Sequence, residues 1–206
     1  AGTIQDAINS TNEKRHLHAA QRKEFILGTN QFPNFTENSE GKVAETECCN
    51  CGCDETAPFK SICASRLSAD FESLRLSTEK ADKQPVAFML TVGNLVWRQA
   101  RAQFSTNFLA CAGYKVIDNL GFATVEEGVE EAVKAGADIV VICSSDDEYA
   151  EFAIPAYKAL DGRAMFVVAG APACADELKT AGIENFIHVR VNQLETLKEY
   201  NAKLGI

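Results

Sequence analysis

The sequence predicts an α/β protein with a flavodoxin-like, five-stranded parallel sheet that is preceded by a helical and irregular linker. From Pro85 onward, short apolar segments alternate with helical segments, which is the pattern of repeated β/α units. The three middle segments are apolar on both faces, as parallel strands covered by helices must be. Five such units within residues 85–206 favour a doubly wound sheet.

The boundaries of the predicted elements come from apolar runs and capping signals. The predicted strands are VAFMLTV (86–92), YKVID (114–118), DIVVICS (138–144), AMFVVAG (164–170) and NFIHV (185–189). Thr124 and Glu127 form a capping box that predicts a helix start. Pro172 suits the first turn of a helix, and Pro155 predicts either a kink or the true start of its helix.

Residues 1–84 have a different character and are interpreted as a linker region. The region starts with a polar helical stretch, and residues 37–62 are acidic, bear cysteines and lack periodicity, which predicts a mobile loop. Ser68 is a predicted N-cap, and Phe71 and Leu74 follow it at helical spacing. This region cannot form a core alone. Its apolar stripe must pack on the rest of the chain or on a second copy, with an apolar patch left for a partner.

Composition excludes several classes of function. A net charge of −9 and a pI near 4.9 leave no electrostatic footprint for nucleic acid. No apolar run reaches the roughly 18 residues needed to span a membrane, and the start of the sequence has no secretory pattern. We therefore expect a cytoplasmic protein with reduced thiols. The absent initiator Met favours an excised fragment.

Cysteines cluster in the acidic loop and form a weak candidate for a metal site. The cluster consists of Cys48, Cys49, Cys51 and Cys53, with Cys63 downstream. Four thiols could bind zinc or copper(I), but structural zinc sites usually use two C-x₂-C pairs separated by a longer loop. The spacing here offers no such pairs, so the sequence predicts an oxidisable loop without a metal.

The loop after the first predicted strand, TVGNLVWRQARAQF (91–104), decides which ligand classes fit. Gly93 stands alone, so neither the dinucleotide fingerprint nor a P-loop is present. Asp146 and Asp147 lie near the end of the third strand, but the first loop offers them no acidic partner as a phospho-receiver domain would. A flavin phosphate would need more Ser, Thr and Gly than this loop contains.

Three stretches carry a resemblance to a known family. They are AAQRKEFILGTNQFPNF (19–35), ASRLSADFESLR (64–75) and RQARAQFSTNFLACAGYKVIDNLGF (98–122). In this order, ahead of and within a β/α domain, they resemble adenosylcobalamin-dependent mutases, and specifically the C-terminal part of the small subunit of methylmalonyl-CoA mutase. The resemblance implies a degenerate cobalamin-binding-like domain at 85–206, with no catalytic residues and no cofactor of its own.

The same resemblance identifies the positions of a vestigial pocket. In cobalamin-binding members, Asp-x-His-x-x-Gly occupies the first loop, where the His ligates cobalt, the Asp orients it and the Gly lets the nucleotide tail pass. The matching residues here are Val96, Arg98 and Arg101, and a guanidinium cannot ligate cobalt. The family's Gly-Gly pair is reduced to Gly170-Ala171. The vestigial positions are Gly93, Val96, Arg98, Arg101, Ser144 and Gly170.

Several residues near the vestigial positions keep two interpretations. Trp97 either fills the former cofactor space or packs on a neighbour at the helix start, and the two arginines face either solvent or an acidic partner. Ser144 and Ser145 are interpreted as caps of the next helix, and His188 as a structural histidine.

Two functions of different class follow from these interpretations. The resemblance implies a structural subunit fragment, inactive alone, whose partner is the large mutase subunit that carries adenosylcobalamin and isomerises methylmalonyl-CoA and succinyl-CoA. The alternative is a module that binds cobalamin or another small molecule in an altered pocket.

Overall fold

The structure, a computed structural model, describes residues 3–39 and 66–206. Its elements are α1 (Thr3–Ala20), α2 (Ala69–Glu79), β1 (Val86–Thr91), α3 (Leu95–Ala110), β2 (Lys115–Ile117), α4 (Val125–Lys134), β3 (Ile139–Cys143), α5 (Tyr149–Leu160), β4 (Met165–Ala169), α6 (Ala175–Thr180), β5 (Asn185–Ile187) and α7 (Gln193–Leu204). Each of the five strands lies within the bounds that the sequence predicts. None of the helices in these ranges has the length and apolar character needed to cross a membrane.

The five strands form one parallel sheet in the order β2-β1-β3-β4-β5. This is the strand order of flavodoxin-like doubly wound folds, so the predicted fold class is confirmed. The strand order reverses between β1 and β3. The carboxyl ends of these two strands therefore flank the crevice where such folds bind ligands.

Apolar side chains cover the sheet on both faces. Helices α3 and α7 pack on one face, together with α2, and helices α4, α5 and α6 pack on the other. Every residue of β3 is buried, since β3 is the central strand of the sheet. This double coverage explains why the central strands are apolar at successive positions.

Some helix starts agree with the predicted caps and others do not. The hydroxyl of Thr124 accepts a hydrogen bond from the backbone N of Glu127 at 3.3 Å, as a capping box requires. Ser68 is the N-cap residue of α2, as predicted, but its side chain makes no cap bond, because its hydroxyl donates to Glu72 Oε1 instead. Pro155 lies inside α5 and does not mark its start, and Pro172 lies in a turn ahead of α6 and not in its first turn.

The described cysteines are free thiols. Cys111 and Cys143 are buried, and desolvation raises the pKa of each thiol to about 12. Cys174 is partly exposed. Neutral buried thiols are poor nucleophiles, so Cys111 and Cys143 are structural residues.

The second linker helix, α2, packs against α7 and so lies over the sheet domain. Phe71 is 2% exposed and Leu74 is 6% exposed, and both belong to the same core cluster as Leu197. Of the two expected placements of this stripe, packing on the rest of the chain is the one observed for Phe71 and Leu74, so these two side chains are not part of an apolar patch left for a partner. Helix α2 contacts α7, and its two apolar side chains share a core cluster with Leu194, Leu197 and Tyr200 of α7.

Buried polar groups reinforce the contact between α2 and α7. The Tyr114 hydroxyl donates to Oδ1 of Asn201 at 2.6 Å, and Nδ2 of Asn201 donates to the Thr78 hydroxyl at 3.0 Å. All three residues are at least 97% buried. Because buried polar groups are costly when unpaired, this chain of bonds fixes the register of α2 on α7.

The linker ahead of α2 is tied to the same helix. The Arg75 guanidinium donates to the carbonyl oxygens of Asn34 and Glu37, at 2.9 and 2.6 Å, and its Nε donates to Glu79. The predicted mobile loop at 37–62 lies outside the described residues apart from residues 37–39.

We expect Phe71→Ala to lower the free energy of unfolding by about 3–5 kcal/mol, because the change opens a cavity between α2 and α7. The matched control is Phe35→Ala, since Phe35 is 56% exposed, and its effect should stay within about 0.5 kcal/mol. Urea unfolding followed by circular dichroism measures both. Equal effects of the two substitutions would contradict the placement of α2 in the core.

Candidate functional site

The candidate site lies at the carboxyl ends of the strands, where the strand order reverses. Gly93 follows β1 and Ser144 follows β3, so the two loops face each other across the crevice. Gly170 follows β4, and α3 begins with the segment that holds Val96, Arg98 and Arg101. The structure thus places all six positions that the resemblance singled out at one edge of the sheet.

A carboxylate joins the two loops that flank the crevice. Glu148 accepts hydrogen bonds from the hydroxyls of Ser144 and Ser145, at 2.6 and 2.8 Å, and from the backbone N of Ser145 at 3.2 Å. It also accepts one from the backbone N of Asn94, 3.0 Å from Oε1 and 3.1 Å from Oε2. We call this group of bonds the Glu148 clasp. It fastens the β3–α5 loop to the β1–α3 loop.

The clasp strongly favours the ionised form of Glu148. Desolvation alone would raise the pKa of this carboxyl group. Hydrogen bonds donated by Ser144, by the Asn94 backbone and by Ser145 outweigh that effect and lower the pKa to about 2. A carboxylate that accepts several hydrogen bonds is stabilised in its charged state, so Glu148 is unsuited to act as a general base near neutral pH.

Gly93 is required by the close approach of this carboxylate. Its φ is +73°, and a methyl group on Gly93 would lie 2.4 Å from Oε2 of Glu148 and 2.7 Å from the Ser144 hydroxyl. Glycine is the residue that accommodates both the left-handed backbone and the contact. The glycine therefore serves the clasp in this chain.

Arg98 makes a second connection between loops. Its Nη1 donates to the Gly93 carbonyl oxygen at 3.2 Å, and its Nη2 donates to the Leu120 carbonyl oxygen at 2.9 Å. The guanidinium thus links the β1–α3 loop to the β2–α4 loop. It lies so close to Gly121 that a methyl group there would come within 2.5 Å of Cζ.

Arg101 makes a third connection, to the loop after β3. Its Nη2 donates to Oδ1 of Asp146 at 2.9 Å, and this ion pair lies beside Gly170 at the end of β4. The Arg101 side chain is 22% exposed. The interpretations of Arg98 and Arg101 as solvent-facing or partner-facing charges are therefore wrong, because both guanidiniums bond to loops of this chain.

The structure also decides the sequence interpretations of Ser144, Ser145 and Trp97. Ser144 and Ser145 do not cap α5, whose N-cap is Glu148, because both hydroxyls donate to the Glu148 carboxylate. Of the two interpretations of Trp97, packing on a neighbour at the helix start is the one that agrees with the structure, since the residue is 52% exposed and its ring centre lies 5.9 Å from the Arg101 guanidinium carbon. The edge is closed by charged side chains and not by the aromatic ring.

His188 lies at the end of β5, and desolvation, followed by the charges of Arg190 and Arg101, lowers its pKa. Its Nδ1 accepts a hydrogen bond from the backbone N of Arg190 at 3.2 Å. The histidine is therefore engaged in its own loop, as a structural residue is.

Sequence reasoning missed the two residues that organise this edge, Glu148 and Asn94. The Asn94 side chain caps α3 by accepting from the backbone N of Val96 at 3.1 Å and of Trp97 at 3.3 Å. The signal for this cap was available, since an Asn stands directly before an apolar helical run. Glu148 had no such signal, because its partner in the β1–α3 loop, the backbone N of Asn94, is 54 positions away in the sequence.

A metal site is not formed by the residues that the structure describes. Residues 3–39 and 66–206 hold no group of three or more His, Cys, Asp or Glu side chains placed to bind a metal ion. Cys48, Cys49, Cys51 and Cys53 lie outside these ranges.

Similarity to known proteins covers the whole chain. The chain is 56% identical to the methylmalonyl-CoA mutase small subunit of Porphyromonas gingivalis (strain ATCC BAA-308 / W83) over 207 aligned residues, which cover 99% of the chain. It is 28% identical to the methylmalonyl-CoA mutase small subunit of Streptomyces virginiae over all of its length. The chain spans about a third of the length of these relatives, 33% and 32%. The resemblance indicated by the sequence motifs is thus confirmed.

Other comparisons add less. No family model matches the chain. Among solved structures, a novel cobalamin-binding protein from Desulfitobacterium hafniense DCB-2 superposes with a TM-score of 0.43 at 15% identity, over 67% of this chain and 71% of that one.

The Glu148 clasp predicts a specific dependence of stability on pH. Because folding lowers the pKa of Glu148 from 4.5 to about 2, the clasp stabilises the fold above pH 4.5, and this contribution is lost as the pH falls towards 2. We expect Glu148→Gln to lower the urea midpoint at pH 7 and to flatten its decline between pH 4.5 and 2.5. Glu151→Gln, an exposed change in the first turn of α5, is the control. A wild-type decline in the Glu148 variant would contradict the clasp.

Proposed function

We propose that this chain is the C-terminal part of the small subunit of methylmalonyl-CoA mutase and that it serves the enzyme as a structural element without cofactor. Support comes from the similarity over 99% of the chain to a methylmalonyl-CoA mutase small subunit. The position of Arg98 is the main support for a role without cofactor. This arginine stands where the family's cobalt-ligating histidine would be, and its guanidinium donates to two loop carbonyl oxygens.

Adenosylcobalamin does not fit the residues at the strand-end crevice. Ligation of cobalt from below needs a neutral nitrogen with a free lone pair, and a guanidinium remains protonated and offers none. The Glu148 clasp and the Arg101–Asp146 ion pair occupy the space between the loops of β1, β3 and β4. A nucleotide tail would have to break these two connections to enter.

The proposed partner is the large subunit of the mutase. We place adenosylcobalamin and the isomerisation of methylmalonyl-CoA and succinyl-CoA on that subunit, where the cofactor supplies the radical chemistry. This chain then acts through assembly and not through catalysis. The free thiols of Cys111, Cys143 and Cys174 agree with a reducing compartment, and we propose the cytoplasm.

Mixing the purified chain with adenosylcobalamin should leave the spectrum of the free cofactor unchanged, because no imidazole is placed to replace the cofactor's own base. Ultraviolet–visible absorption at equimolar concentration measures this. The large subunit from the same cell is the positive control. A base-off, histidine-on spectrum with this chain would support the alternative, a small-molecule module with an altered pocket.

Turnover provides a separate prediction. The purified chain should not convert methylmalonyl-CoA, since the residues of the crevice do not fit the cofactor. When the full-length small subunit that contains this chain is expressed with an affinity tag, we expect the large subunit to co-purify with it and the pair to be active. Turnover by this chain alone, or a tagged small subunit that purifies alone, would contradict the proposed role.

A further inference from the structure

We draw no further inference here: the strongest candidate, the surface patch of exposed apolar side chains that Phe25, Leu27, Phe32 and Phe35 form on the loop after α1, carries no proposal, because nothing in the structure shows what covers it.

Discussion

The carboxylate of Glu148 is the interaction on which the candidate site depends. It accepts bonds from both loops that flank the reversal of strand order, and so it determines where α3 begins and which way its first turn faces. Gly93 is explained by the approach of this carboxylate, and Asn94 by the turn that it anchors. The clasp joins the two loops that flank the crevice through internal hydrogen bonds.

The two halves of the chain are joined by packing as well as by sequence. Phe71 and Leu74 lie in the core cluster that α3 and α7 form on one face of the sheet, and the Tyr114–Asn201–Thr78 bonds fix their register. Because α2 contributes to this core, it is fixed relative to the sheet. The Arg75 contacts to Asn34 and Glu37 attach the end of the first described segment, residues 3–39, to α2.

The fold could be predicted from the sequence because its signals are local. Strands covered on both faces read as apolar runs, and Thr124 caps a helix only three residues away. The site could be predicted only in outline. Arg98 and Arg101 were identified as misfits for cobalamin, but their bonds to Leu120 and Asp146 join loops that are 22 and 45 positions apart. Periodicity carries no information about such contacts.

Because these contacts are made by different residues, no single substitution removes all of the bonds between the loops. Replacing Arg98 with histidine would remove the bonds to Gly93 and Leu120, yet the Glu148 clasp would still hold the β1–α3 loop to the β3–α5 loop. Removing the clasp would leave the Arg101–Asp146 pair in place beside Gly170. Because these contacts share loops, their contributions to the free energy of unfolding are coupled and not additive. The loops of this edge are therefore held together by three groups of contacts, namely the Glu148 clasp, the two Arg98 bonds and the Arg101–Asp146 pair.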